Sequence, residues 1–446
     1  MSRVVVLFLI MLSLTAGTFA QKVISLDEAI KIALQQNSGL LKSTERLKSN
    51  EASVKSAYGD FLPDLDVSGS FNWQRNEGIQ SYDPNIGQFI SADADSRSWR
   101  VSAGGGVVLF NGLANYANLS SAKNQLDAGK FSLIKLKQDI VYRTTEIYYS
   151  ILAAEELLKV RNENVKYNQK LLETIEERNK LGSLPIADVY AQQVQLGNAQ
   201  LQAINAENAL DAAKNSLLDY LALDVFENYI YTDPFGEELP ENMDGMMKDF
   251  GDYNSMLREA MSNRYDYKSS EKIHESRLNN LTISKSGLYP SLTGSYSLST
   301  GASVPGDLFD TKTYSAGLSL RIPIFNNWNT ENSIQASRVN VFEAEEDLRI
   351  LKRGISIEIK QGYLDLSAAK KALEVSSKNV ISAGENRKIN NEKYSLGSGT
   401  ILDVLQSDKD YQEALRNKID SKYEFYKKRD NLLNALGKLN YNKFEN

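Results

Sequence analysis

Two kinds of hydrophobic pattern alternate along the chain. Residues 112–180 contain no proline, and from Ile140 to Ile175 apolar residues recur at alternating steps of four and three positions. This heptad spacing predicts one long helix that packs in an antiparallel coiled coil. The same spacing returns 215 residues later, in 327–395. Shorter helices are predicted at 25–58, 186–222, 256–287 and 401–436.

The second pattern alternates polar and apolar residues at every other position. It predicts strands at 64–73, 99–110, 291–299 and 314–324. Their lengths are close to the ~9–11 residues that a tilted transmembrane strand requires. Trp73 and Trp99 flank an intervening loop at 74–98, and Trp328 follows the last strand, as aromatic residues do at membrane interfaces. A small sheet packed on helices would alternate in the same way. No other segment offers an apolar layer to cover these faces, so we expect lipid-facing strands.

The chain contains a tandem duplication. The run Leu181-Gly182-Ser183 recurs as Leu396-Gly397-Ser398, and the Phe-Asn pair at 110–111 recurs at 325–326 with the same offset. Matches that keep their order along the whole length indicate duplication rather than coincidence. The predicted modules are 21–230 and 256–437, with a linker at 231–255 and a tail at 438–446.

The first residues have the pattern of a secretory signal. Arg3 precedes an apolar stretch from Val4 to Leu14, and small residues lead to Ala20. This arrangement predicts a signal peptide at 1–20, cleaved after Ala20, and an exported protein. A membrane anchor is the less favoured alternative, because the apolar stretch is shorter than the ~20 residues that a helical span needs.

Composition excludes several classes of function. The chain has no Cys, which excludes disulfides, thiolate zinc sites and Cys nucleophiles. Its single His, His274, leaves little room for His-based metal sites or triads. We therefore expect no enzyme activity, no cofactor and no metal site. The 51 basic against 57 acidic residues give no reason to expect nucleic acid as a partner. A soft-metal role for the methionines stays open as the alternative to ordinary packing. These are Met243, Met246, Met247, Met256 and Met261.

Four strands cannot close a barrel in lipid. Open sheet edges are not tolerated in hydrocarbon, and the smallest closed barrels use about eight strands. Two chains would supply eight strands and three would supply twelve, enough for a water-filled passage. The coiled-coil helices favour the wider form. The predicted fold is thus a mixed α and β membrane protein.

The duplicated strand–strand–long-helix layout resembles the TolC-type outer-membrane efflux and secretion channel family over about residues 25–437. The strand entry Leu-Tyr-Pro-Ser-Leu at 288–292 and the helical turn at 394–405 carry the resemblance. It implies a homotrimer with a twelve-stranded β-barrel in the outer membrane and an α-barrel of coiled helices extending into the periplasm. It also implies a periplasmic adaptor protein and an inner-membrane transporter of the RND, ABC or MFS type, with outer-membrane lipid around the strands.

The resemblance further implies that the turns at 181–188 and 396–403 form the periplasmic tip, where the tunnel narrows. Asp403 occupies the position of an acidic ring facing the pore, and Gln406 stands where some members carry another acid. Gly399 stands where some family members have a basic residue. We therefore expect a latch with few ion pairs, in which Tyr394 and Asp188 are hydrogen-bond partners. In the alternative interpretation, Asp188 and Asp403 only neutralise helix N-termini. The residues expected in the latch and in adaptor docking are Leu181, Gly182, Ser183, Asp188, Tyr394, Leu396, Gly397, Ser398 and Gly399.

The sequence therefore predicts an outer-membrane conduit that passively conducts substrates from a pump or a type I secretion system. The alternative is an exported coiled-coil structural or adhesin-like protein without a conducting pore. The transported substrate and the class of pump stay open.

Overall fold

The computed structural model describes residues 22–227, 229–236 and 243–444. The predicted signal peptide, 1–20, lies outside the described residues. The chain divides into two units. Unit 1 comprises 1–43, 133–265 and 352–446, and unit 2 comprises 44–132 and 266–351. No helix among the described residues is both long and apolar enough to cross a membrane.

The described residues form nine α-helices, α1 to α9. Two long ones, α3 and α8, have 67 residues each. At 1.5 Å per residue, each is about 100 Å long. The heptad seam is buried or half-buried along its length, with Ile151 and Ile175 inaccessible in α3 and Ile359 and Leu373 inaccessible in α8. The helices are α1 (Leu26–Gln36), α2 (Ser38–Gly59), α3 (Ala114–Lys180), α4 (Ile186–Leu221), α5 (Met243–Asp249), α6 (Tyr253–Asn263), α7 (Tyr265–Ser286), α8 (Asn329–Ser395) and α9 (Ile401–Ala435).

The predictions of single helices at 25–58 and 256–287 are wrong, because each segment forms two helices. Asn37 has an extended backbone, and its side-chain oxygen accepts a hydrogen bond from the Leu40 N–H at 3.1 Å. This local bond ends α1 and starts the next helix. Arg264 interrupts the second segment, where its buried guanidinium donates to the Ala435 carbonyl at 3.1 Å and to Glu358 at 2.6 Å.

Unit 2 contains a four-stranded antiparallel sheet in the order β2-β3-β5-β6. Its strands are β2 (Asp66–Asp83), β3 (Gln88–Asn111), β5 (Ser291–Ala302) and β6 (Lys312–Arg321). The outer edges of β2 and β6 pair with no other strand of the described chain. The strands β1 (Lys22–Ile24) and β4 (Tyr229–Tyr231) form a separate parallel pair in unit 1.

The predicted loop at 74–98 is wrong, since β2 and β3 continue through it as a paired hairpin. The turn is at 84–87, where Gly87 has a φ of 62°. Arg75 stabilises the ribbon through ion pairs with Glu77 at 3.1 Å and Asp93 at 3.2 Å. The strands predicted at 64–73 and 99–110 are therefore much longer than expected, whereas β6 ends three residues before the predicted 324.

Three consecutive glycines in β3 permit a close approach of the chain. A Cβ atom on Gly105 would lie 1.9 Å from the backbone oxygen of Asp64, and one on Gly104 would lie 2.7 Å from the backbone oxygen of Tyr296. The Gly106 N–H donates to the Asp64 carboxylate. Close strand contact therefore explains the glycine run.

Candidate functional site

One face of the four-stranded sheet is apolar and exposed. Side chains alternate between the two faces of a strand, so the register assigns each residue to a face. The rings of Phe71 and Trp99 are in contact across β2 and β3, tilted by 36° with centroids 4.4 Å apart, and Val67 and Leu318 are each 72% exposed. This face forms a continuous apolar surface that no described residue covers. It comprises Val67, Phe71, Trp73, Trp99, Val101, Leu298, Tyr314, Leu318 and Leu320.

The opposite face, which we call the serine face, carries small hydroxyl side chains. Ser68 and Ser102 are hydrogen-bonded at 2.8 Å, and Ser297 and Ser315 at 2.6 Å. Such side chains leave space above the sheet and bind water readily. The serine face comprises Ser68, Ser70, Ser102, Ser295, Ser297, Ser299, Ser315 and Ser319.

The sequence predicts all three tryptophans at strand ends, and this is wrong for two of them. Trp73 and Trp99 lie within β2 and β3 because the hairpin continues beyond them. Trp328 does follow the last strand, immediately before α8, and its ring lies 5.2 Å from that of Phe325. Trp73 and Trp328 are exposed.

In unit 1, two equivalent turns join the long helices to α4 and α9. Gly182 and Gly397 adopt left-handed φ values of 76° and 78°. The N–H of the serine after each glycine donates back to a helix carbonyl at 2.9 Å, from Ser183 to Arg178 and from Ser398 to Lys393. Glycine at this position is the usual end of a helix. A shared apolar core lies beneath both turns: Leu172, Ile175, Val189, Leu196, Tyr394, Ile401 and Val404.

The apex of each turn exposes a leucine. Leu181 is 81% exposed and Leu396 is 82% exposed, and the two are equivalent in the duplicated sequence. On Gly399 a Cβ atom would lie 3.0 Å from the Cβ of Lys393, so the turn leaves little room for a larger residue.

The structure brings together the two predicted hydrogen-bond partners. The Tyr394 hydroxyl donates to Asp188 Oδ2 at 2.8 Å. Burial, together with the adjacent Asp188 carboxylate, raises the pKa of Tyr394 well above its ordinary range. The hydroxyl is therefore a stable donor. A second bond joins the ends of α3 and α8, from the Arg178 guanidinium to the Ser395 carbonyl at 3.2 Å.

Asp403 is exposed and serves its own helix. Its carboxylate accepts hydrogen bonds from the Thr400 hydroxyl at 2.7 Å and from the Thr400 N–H at 3.0 Å, while its N–H donates to the Thr400 hydroxyl. This reciprocal capping box starts α9. The bonds from Thr400 lower the pKa of Asp403. Gln406 is also exposed, and its amide donates to Asp410 at 2.7 Å.

The sequence analysis did not predict an ion pair between Arg387 of α8 and Asp408 of α9. The Asp408 side chain is 1% exposed, and Arg387 Nε lies 2.9 Å from its Oδ1. The guanidinium also lies 3.6 Å from the ring centroid of Tyr167 and 4.9 Å from that of Tyr411. Burial raises the pKa of Asp408, although Arg387 opposes the shift. Because its side chain is buried, Asp408 does not add a second exposed acid to Asp403.

The described part of the chain contains no group of three or more His, Cys, Asp or Glu side chains arranged to hold a metal ion. The residues at the two turns offer hydrogen bonds, exposed leucines and a carboxylate.

Known proteins of the same architecture match nearly the whole chain. The chain is 20% identical to the outer membrane protein TolC of Vibrio cholerae over 428 residues, which cover 93% of this chain and 91% of TolC. It is 22% identical to the pyoverdine export outer membrane protein OpmQ of Pseudomonas aeruginosa, with 86% and 78% covered. The crystal structure of CusC superposes with a TM-score of 0.80 at 16% identity, covering 92% of both chains.

The sequence model of the outer membrane efflux protein family matches residues 29–223 and 256–438, most of the chain. This family consists of outer-membrane channels, which are not enzymes. The chain therefore belongs to the outer membrane efflux protein family and is a channel protein of the bacterial outer membrane.

Proposed function

We propose that this protein is the outer-membrane channel-tunnel of a tripartite efflux pump or a type I secretion system. The observation that carries the proposal is the two-faced sheet with open edges. Its apolar face suits lipid and its serine face suits a water-filled lumen. In hydrocarbon, the edges of β2 and β6 require strands from other copies. Three copies give the twelve-stranded barrel, with Trp73, Trp99 and Trp328 as interfacial aromatics.

Exposed apolar stripes on the helices support a homotrimer with an α-barrel. On α4, Val194 and Leu201 are exposed seven residues apart, and on α8 Ile357 and Leu364 are exposed with the same spacing. Heptad stripes that pack against no other described residue of their own chain suit packing against a second copy. The two separate matches to the family model and the equivalent turns support two internal repeats.

The turns at 181–188 and 396–403 would form the periplasmic tip, which would gate the channel and bind the adaptor protein. Tyr394 and Asp188 would latch the closed tip, and Asp403 would form a threefold acidic ring with Gln406 one turn further along. The exposed Leu181 and Leu396 offer an apolar apex to a periplasmic adaptor protein. An inner-membrane transporter of the RND, ABC or MFS type would supply the energy. OpmQ, a pyoverdine export protein by name, supports an export role of this kind.

A conduit and a pore-free coiled-coil adhesin or scaffold differ in the environment of the sheet faces. Leu318 and Ser319 are neighbours on opposite faces of β6, and both are exposed in the single chain. Since the chain has no Cys, a single Cys substitution is the only site that a thiol reagent can label. In the assembled protein in lipid, we expect Ser319→Cys to react with a charged, membrane-impermeant thiol reagent and Leu318→Cys to be protected. A soluble scaffold would label at both positions and show no heat-modifiable trimer on a gel.

A further inference from the structure

Arg100 is a basic residue on the serine face. In the register of the sheet it lies opposite Ser70 on β2 and Gly301 on β5. The Ser68–Ser102 hydrogen bond fixes the side of the sheet on which even-numbered β3 residues point. The Phe71–Trp99 contact marks the other side. Arg100 therefore projects from the same surface as the serines.

No described residue forms an ion pair with Arg100, and its side chain is exposed. The nearest acidic residue on the serine face of β2 is Asp66, which pairs with Gly104 four positions away along β3. Four residues of strand correspond to about 13 Å, too far for an ion pair. Towards the hairpin turn, the serine face of β2 and β3 has uncharged side chains up to the register shift at Asn76.

We propose that Arg100 forms a ring of three guanidinium groups in the lumen of the barrel and favours the exit of anionic solutes. This inference rests on the proposed function, because the ring requires three chains around one lumen. An arginine guanidinium carries a full positive charge. Small hydroxyl side chains around it neither cover nor neutralise that charge. A ring of one sign raises the local concentration of counter-ions, here solutes that carry carboxylate, sulfonate or phosphate groups.

Thiol labelling beside the ring tests the proposal without opening the tip. Ser70→Cys places a reporter directly across the strand pair from Arg100 in a chain that otherwise lacks Cys. The rates of modification by an anionic and a cationic methanethiosulfonate reagent are measured on the trimer in lipid vesicles. We expect Arg100→Ser to lower the anionic-to-cationic rate ratio about fivefold at ~0.01 M salt, with most of the effect lost at ~1 M. Arg100→Lys should keep the ratio near that of the reporter alone.

Arg97→Ser is the matched control, because Arg97 lies on the same strand but on the opposite face, paired with Trp73. Arg97→Ser should leave the anionic-to-cationic rate ratio unchanged. If it lowers the ratio as much as Arg100→Ser does, the effect comes from general surface charge and the proposed Arg100 ring is refuted. If Ser70→Cys reacts but Arg100→Ser does not change the rate ratio, the anion preference is refuted and the proposed channel function is unaffected. If Ser70→Cys is unreactive in a heat-modifiable trimer, the serine face is not a lumen and both proposals fail.

Discussion

The Tyr394 hydroxyl donates a 2.8 Å hydrogen bond to Asp188, a residue 206 positions earlier in the chain. Asp188 and Asp403 are equivalent in the duplicated sequence, yet they act differently. Thr400 precedes α9 and engages Asp403 in a capping box. Pro185 precedes α4, has no N–H or hydroxyl, and forms no side-chain cap. Asp188 is therefore available to Tyr394, and the two turns are tied together.

Loss of this bond should loosen the tip. A hydrogen bond to a charged group contributes about 1.5–3 kcal/mol when buried, and less here because Asp188 is partly exposed. We expect Tyr394→Phe and Asp188→Ala each to raise the single-channel conductance of the isolated protein in a planar bilayer. The double variant should resemble either single one, because both remove the same bond.

Tyr190→Phe is the control for that experiment. Tyr190 lies in the first turns of α4 and is exposed, so removal of its hydroxyl breaks no bond at the tip. Conductance that stays at the wild-type level in both Tyr394→Phe and Asp188→Ala would rule out the latch.

The alkaline range gives a second test of the same bond. Burial and Asp188 raise the pKa of Tyr394, so the folded tip holds the proton more tightly than an unfolded chain does. The stabilising bond is then complete below the ordinary tyrosine pKa of about 10 and is lost only as pH rises through the higher folded value. We expect closed-state conductance to stay constant from pH 7 to about 10.5. A rise centred near pH 10 would show that Tyr394 is not shielded.

The long elements were predictable because their patterns are strong and local. The sequence indicated the first long helix at 112–180, and the structure has it at Ala114–Lys180. The hairpin is not evident from the sequence because residues 74–98 are mostly polar, and their pairing depends on a turn at 84–87 and on charges that meet only across strands. Polarity alone does not separate an exposed ribbon from a loop.

The buried pair could have been found from the heptad spacing. Arg387 lies seven residues after Val380 and seven before Tyr394, so it occupies the seam of α8. A charged residue on a seam requires a partner inside the bundle. Which carboxylate would approach it was not predictable, because Asp408 comes from another helix and the contact depends on how the helices pack.

The two interpretations of Asp403, pore charge and helix cap, predict different mutant behaviour. Thr400→Ala removes the hydroxyl of the cap and should cost about 1 kcal/mol of stability while it leaves the charge. Asp403→Asn removes the charge but keeps an oxygen that can accept the Thr400 N–H. If three Asp403 carboxylates line the pore, Asp403→Asn abolishes block by polyvalent cations in bilayer recordings and Thr400→Ala does not. If polyvalent cations block Asp403→Asn as they block the wild type, Asp403 does not line the pore and acts only as a helix cap.

The Arg387–Asp408 pair should respond asymmetrically to loss of either partner. Asp408→Leu leaves the Arg387 side chain, which is only 16% exposed, without its carboxylate, and we expect a loss of about 3–5 kcal/mol. Arg387→Met should cost less, because burial already raises the pKa of Asp408 and the carboxyl can take up a proton. For an acid whose folded pKa is raised, stability increases as pH falls towards the unfolded value, so Arg387→Met should be more stable at pH 5 than at pH 8.

Thermal unfolding in detergent measures these changes. Arg416→Met is the matched control, since Arg416 forms an exposed pair with Asp420 at 3.5 Å on the same helix as Asp408. Its loss should cost about 0–1 kcal/mol. Equal effects of Asp408→Leu and Arg416→Met would contradict a structural role for the buried pair.

The glycine run gives the sharpest test of barrel packing. A Cβ atom on Gly105 would lie 1.9 Å from the backbone oxygen of Asp64. The Asp64 N–H donates to the Gly106 carbonyl at 3.0 Å, so the two segments cannot separate without breaking that hydrogen bond. Gly105→Ala should therefore cost more than the ~1–3 kcal/mol typical of overpacking and prevent assembly of the trimer. Gly69→Ala, in the neighbouring strand, meets nothing closer than 4.0 Å and should assemble normally. Heat-modifiable trimer in the outer-membrane fraction is the measurement. Equal yields of trimer from the two variants would mean that Asp64 does not pass over β3 as the structure has it.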